Sequence, residues 1–130
     1  MNNWTPIEGN ALSMPSGPQG DHLFVISGGP YRKQCYPGAQ YILVPLCTVS
    51  GTRYDTACLI QPGEHRFVTR LTYVLYSSAS IRSESDLCAG INNGIFRLDE
   101  DVTELLLLRI QDGLRNSKHV ARFIKKDFLS

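Results

Sequence analysis

Apolar residues fall in short blocks through the first two thirds of this chain and at helical spacing in the last third. Blocks at residues 22–27, 39–49, 54–60 and 67–76 are rich in Val, Ile, Leu, Tyr and Phe. Turn chemistry separates them: Gly28-Gly29-Pro30, Ser50-Gly51-Thr52-Arg53 and the stretch at 61–64. Each block reads as a strand; the last is open to a break near Arg70, and residues 80–82 add a further short strand. Pro45 lies inside the second block and cannot donate to a ladder, which predicts an edge strand or a bulge there. Residues 85–91 predict one or two helical turns. Asp101 followed by Glu104 makes a capping box for the next helix, on which Val102, Leu106, Ile110 and Leu114 fall on one stripe. Leu108 falls almost opposite that stripe, at ~100° per residue. A helix apolar on two sides needs two neighbours, either the sheet plus a terminal helix or a second copy of the chain. Residues 113–116 end this helix and Ser117 is placed to cap the last one. There Val120, Phe123, Ile124 and Phe128 form an apolar stripe, with Lys118, Arg122, Lys125 and Lys126 on the opposite face. The whole predicts an α+β domain: a small, strongly bent antiparallel sheet or SH3-like barrel with C-terminal helices.

The first twenty residues break this pattern. They hold Pro6, Pro15 and Pro18, several Gly and Ser, one acid (Glu8) and no Lys or Arg. They are expected to be a flexible segment ahead of a single domain at 21–130, with Trp4 and Ile7 the side chains able to tack it down. The 130 residues suffice for one domain with a real core. Thirteen basic against twelve acidic residues give a formal charge of +1, so any charge-driven recognition rests on local patches. No charged-then-apolar leader opens the chain, and the longest apolar runs are too short to span a bilayer, so a cytoplasmic protein without membrane contact is expected. Cys35, Cys47, Cys58 and Cys88 form no CxxC pair, and no paired histidine spacing accompanies them. They read as free thiols, Cys35 the exposed one, with neither a metal nor a cofactor implied.

Candidate chemistry gathers at Pro62-Gly63-Glu64-His65-Arg66-Phe67. A turn dipeptide there puts an acid, an imidazole and a guanidinium side by side at the rim of the sheet. Cutting RNA without a metal needs a base for the 2′-hydroxyl, donors for the phosphoryl oxygens and an acid for the leaving oxygen. Imidazoles suit the proton roles and the arginine fork suits phosphate. His65 and His22, the latter directly after Asp21, are the histidines placed for this. His119, beside the basic face, is expected to be solvated. Each also has a plain structural reading, as a turn residue and as the cap of a sheet edge. Thr48, Ser50 and Thr52 cluster after the second strand with Arg53 next to them, and Arg82 and Glu84 form another arginine–acid pair. The tyrosines at 31, 36, 54, 73 and 76 can stack bases or fill the barrel wall. The terminal Lys118, Arg122 and Lys125 make either a solvated face or a track for phosphates. No P-loop, GxGxxG, GxSxG or HExxH pattern is present.

Several segments resemble the MazF/PemK/Kid class of toxin proteins. Gly20-Asp21-His22-Leu23-Phe24-Val25-Ile26-Ser27 is similar to that family's valine-rich strand. Val44-Pro45-Leu46-Cys47-Thr48 is similar to its Pro-x-x-Thr strand end, and Ser80-Ile81-Arg82-Ser83-Glu84 to its later Arg-Thr segment. Residues 101–114 resemble its long helix. Asp21-His22 stands where the family has an Arg-Arg-Pro-like segment, and the terminal helix extends past the family's usual end. The resemblance implies an SH3-like barrel, often dimeric, that cuts single-stranded RNA without a metal and is paired with an antitoxin protein. It implies Thr48 as the active-site hydroxyl, Arg82 and Glu84 as catalytic cation and carboxylate, and His22 or Arg53 in place of the family's arginine. With His65 and Arg66 drawn from the turn itself and not from the resemblance, the catalytic candidates are His65, His22, Arg66, Arg82 and Thr48. Arg53, Ser50, Glu84, Lys118, Arg122 and Lys125 are the RNA-binding ones. A non-catalytic protein-interaction module on the same fold is the alternative.

Overall fold

A computed structural model describes residues 4–16 and 20–130. It contains β1 (Ala11–Pro15), β2 (Asp21–Tyr31), β3 (Gln40–Thr48), β4 (Leu59–Ile60), β5 (Thr72–Val74) and β6 (Ser80–Ser83). Then follow α1 (Glu84–Asn92), β7 (Arg97–Asp99), α2 (Glu104–Asn116) and α3 (Arg122–Phe128). The strands form one open antiparallel sheet in the order β4-β5-β3-β2-β1-β7, with β6 also paired to β3.

The centre is β2 against β3, with Leu23 opposite Leu46 and Val25 opposite Val44. Alternation along these strands sends two sets of side chains to two faces. Leu23, Val25, Ile42, Val44 and Leu46 meet Leu106, Ile110 and Leu114 of α2 and Ile124 and Phe128 of α3. Phe24, Ile26, Tyr41 and Leu43 join Leu12, Met14 and Leu87 of α1, with Trp4, Ile91 and Phe96 packed against them. Both faces are thus covered, which explains why β3 reads as an unbroken apolar run. Ile110, fully buried in the first cluster, contributes about 1.5–3 kcal/mol on its own.

The helices begin where short polar side chains serve their free N–H groups. Ser83 caps α1 by accepting from Asp86 N, and Thr103 caps α2 by accepting from Leu106 N at 3.2 Å. Asp101 is not the cap; its carboxylate accepts from the Asn10 side chain at 3.1 Å instead. The α2 stripe is buried as its spacing requires, while Leu105 and Leu108 on the other side stay exposed. So α3 does not cover them: it packs through Ile124 and Phe128, with Val120 just before it, into the same cluster as α2, and Phe123 is left exposed. Ser117 ends α2 rather than starting α3, which opens at Arg122 without a side-chain cap.

Other differences from the sequence pattern have local causes. Part of the expected flexible lead-in forms β1, an inner strand between β2 and β7, with Leu12 and Met14 buried. Pro18 lies outside the described residues. Gly28-Gly29-Pro30 does not stop β2; the strand passes through with register irregularities on either side of Gly28. Gly29 sits at φ +120°, and a Cβ there would lie 2.7 Å from Gln40 O. Pro45 is buried rather than at an edge. It lies where β3 passes from β6 (paired to residues 40–43) to β5 (paired to 46–48), a gap in which no ladder N–H is required. The block at 54–60 yields only β4, because Asp55 Oδ1 accepts from Ala57 N at 2.9 Å and turns the chain.

Candidate functional site

The turn at residues 62–67 is built around His65, but as a structural pin. Its ring is buried, and both nitrogens are committed. Nδ1 accepts from Phe67 N–H at 3.0 Å, so Nε2 carries the proton and donates to Glu100 O at 2.6 Å. The Nε2 bond ties the β4–β5 loop to the segment leading into α2, and the Nδ1 bond holds the turn within that loop. Arg66 beside it is exposed and donates to Asp99 at 2.8 Å. Burial is the largest single influence on the Asp99 carboxyl and pushes its pKa up. The Glu100 N–H and Arg66 together outweigh it, and the group sits below its ordinary range. Glu64 is bound to Arg109, which, with the Gln61 N–H, also lowers its pKa.

The remaining candidates divide between the two ends of β3. Arg82 is opposite Tyr41, with its guanidinium 5.6 Å from the Phe96 ring and 3.8 Å from Asp86. Glu84 accepts from the Tyr41 hydroxyl at 3.1 Å. Burial first, then that bond to Glu84, pushes the Tyr41 phenol up to about 12. Thr48 ends β3 at the other extreme, exposed and opposite Thr72. At about 3.3 Å per residue the run from Tyr41 to Thr48 is roughly 20 Å, so Arg82 and Thr48 cannot hold one phosphate together. Ser50 is exposed in the loop beyond Thr48. His22 starts β2 near this same end, opposite Met14; its Nδ1 is buried and has no partner among the described residues.

One concave mouth brings polar side chains from three separate segments together. A cavity of about 400 Å³ is lined by Arg53, Tyr54, Asp55, Leu75, Ser77 and His119. Arg53 and Tyr54 come from the β3–β4 loop, Leu75 and Ser77 from the chain just after β5, and His119 from the α2–α3 joint. The Tyr54 ring lies 5.5 Å from Tyr73, which pairs with Cys47 in β3, so the mouth adjoins the Thr48 end of the sheet. A buried hydroxyl holds its walls together. Ser117 Oγ donates to Asp55 Oδ2 at 2.7 Å and accepts from His119 N at 3.1 Å. Asp55 is thereby occupied on both oxygens, whereas the Arg53 guanidinium and the His119 ring have no hydrogen-bond or ion-pair partner among the described residues. The mouth therefore presents one free cation, one free imidazole, one phenol and one hydroxyl.

Sequence reasoning singled out Arg53 in its hydroxyl-rich loop and expected His119 to be solvated; His119 is exposed, and its place beside Arg53 comes from elements distant in the chain that no local pattern joins. Lys118 and Arg122 flank His119 on the exposed surface; Lys125 bends back so that its Nζ donates to Ser117 O at 2.6 Å. Of the tyrosines, Tyr31 and Tyr36 pack edge-on against Phe128, and Tyr76 is buried with its hydroxyl donating to Ile110 O at 2.7 Å. Tyr54 lines the mouth, with Tyr73 packed behind its ring. The four cysteines are free, Cys35 exposed and Cys58 buried. Among the described residues no three His, Cys, Asp or Glu side chains come close enough to hold a metal ion, and no helix is long and apolar enough to cross a membrane. Comparison with protein-family models, with curated proteins and with solved structures finds no match to this chain.

Proposed function

We propose that the protein binds single-stranded RNA at the Arg53–His119 mouth and cleaves it by transesterification. The observation that carries this reading is the uncommitted pairing of guanidinium and imidazole in one cavity beside an aromatic ring. Arg53 holds the non-bridging phosphoryl oxygens. His119 takes the 2′-hydroxyl proton, the 2′-oxygen attacks phosphorus and the P–O5′ bond breaks. The leaving 5′-oxygen takes a proton from water at the open mouth, and a 2′,3′-cyclic phosphate remains. Tyr54 offers a face for a flanking base, and Lys118 and Arg122 extend the positive surface along the strand. Thr48, the last residue of β3, and Ser50 just beyond it stand exposed at the adjoining end of the sheet.

The resemblance of residues 20–27, 44–48 and 80–84 to the MazF/PemK/Kid class supports a wider role. In that role the protein is a cytoplasmic toxin, a homodimer held in check by an antitoxin protein. The test is incubation of purified protein with a pool of single-stranded RNAs, followed by sequencing of the new ends. Cyclic-phosphate ends are expected from the native protein and are lost in Arg53→Ala and His119→Ala. A native protein that cuts nothing, or an Arg53→Ala/His119→Ala double variant that cuts normally, removes the proposal.

A further inference from the structure

We infer that the outer face of α2 is a docking surface for a basic, amphipathic segment of a partner protein. Leu105 and Leu108 are 75% and 55% exposed. Three residues apart, they stand side by side on one helix face. They border a groove of about 570 Å³ between α2 and the turn before His65, lined also by Gly63, Glu64, Arg109 and Asp112. Single exposed leucines are ordinary on protein surfaces, but an adjacent pair at the lip of a groove marks a recognition site.

Charge selects the occupant. The basic group that lines the groove, Arg109, is already committed to Glu64, and beyond the lining Arg115 is paired with Asp112 and Arg66 with Asp99. Glu100 and Glu104, exposed at the N-terminal end of α2, are in no ion pair among the described residues. The uncommitted charge around the leucines is therefore negative on a chain whose overall charge is +1. A helix with apolar residues at i and i+3 or i+4, flanked by Lys or Arg, matches both features. A second copy presenting this same face brings further carboxylates and no uncommitted arginine. The surface rests on neither Arg53 nor His119 and stands whether or not RNA is cut.

The experiment uses two labelled probe peptides, an amphipathic Leu–Lys helix and its Leu–Glu counterpart, in fluorescence anisotropy with the full chain. The Leu–Lys peptide is expected to bind saturably at one site, and the Leu–Glu peptide not at all. Leu105→Gln/Leu108→Gln, both at exposed positions, is expected to weaken binding at least about tenfold with an unchanged melting temperature. Glu100→Gln/Glu104→Gln is expected to weaken it by about threefold and to flatten its salt dependence. Equal binding of both peptides, no binding of either, or full affinity in the leucine variant overturns the inference. So does a dimer in light scattering that the leucine variant abolishes, because the occupant is then a second copy.

Discussion

Replacing His65 separates a structural pin from a catalytic base. In His65→Ala the chain loses the bond from Phe67 N–H to Nδ1 and the bond from Nε2 to Glu100 O, along with a buried ring. Each hydrogen bond contributes about 1 kcal/mol net, and the space left by the ring adds a comparable amount, for a total of about 3 kcal/mol. For a domain of this size that corresponds to a fall of about 10 °C in Tm. His65→Gln keeps a donor within reach of Glu100 O and loses only the Nδ1 acceptor, so about 1 kcal/mol is expected. Differential scanning calorimetry measures both. RNA cleavage assayed well below either melting point is expected to stay within about twofold of the native rate, since no proton on this ring is free to move. A His65→Gln protein with native Tm and abolished cleavage refutes the reasoning and returns the turn to the active site.

Gly113→Ala reverses the usual helix rule. Alanine normally stabilises a helix interior by about 1 kcal/mol over glycine. Here the new Cβ lies 2.0 Å from Tyr76 Oη and 2.6 Å from its Cζ, so a net loss of about 2–3 kcal/mol is expected in urea melts. A gain in stability contradicts the packing described. Glu64→Gln tests the Arg109 pair through pH. The Glu64 pKa is lowered by Arg109 and the Gln61 N–H, so its stabilisation is present above the ordinary carboxylate range and lost as pH falls through the lowered value. Melting curves of native and variant protein should therefore differ near neutrality and converge in acid. Ser117→Ala frees Asp55 and the His119 N–H together and should cost about 1–3 kcal/mol in urea melts while slowing RNA cleavage. An unchanged rate shows that the mouth needs no such clamp.

Periodicity made the centre of this fold legible. The 3.6-residue stripe of α2 buries Leu106, Ile110 and Leu114, with Val102 buried just ahead of the helix, and the apolar blocks at 22–27 and 39–49 form the two central strands. What escaped were elements whose stability comes from partners far along the chain. β1 is rich in neither charge nor β-branched residues, yet pairing on both sides makes it an inner strand. β7 has three residues and exists only because Leu12 and its neighbours line up opposite it. The site was legible in part. Arg53 stood out as a cation in a hydroxyl-rich loop, but His119 joins it only through the bonds of Ser117 to Asp55. The turn at 62–67 carried the most suggestive local chemistry, and the structure spends its imidazole on backbone.

β3 is shared: β6 occupies its first half and β5 its second, while β2 runs along the other flank. A slip of one position would exchange the two hydrophobic clusters at once, so the strand tolerates no shortening or insertion within itself. Its ends are free of that constraint. Loop length after Thr48 can drift from one variant to another, reshaping the mouth around Arg53, with the spine left as it is. Changes in loop length are thereby confined to one edge of an otherwise fixed frame.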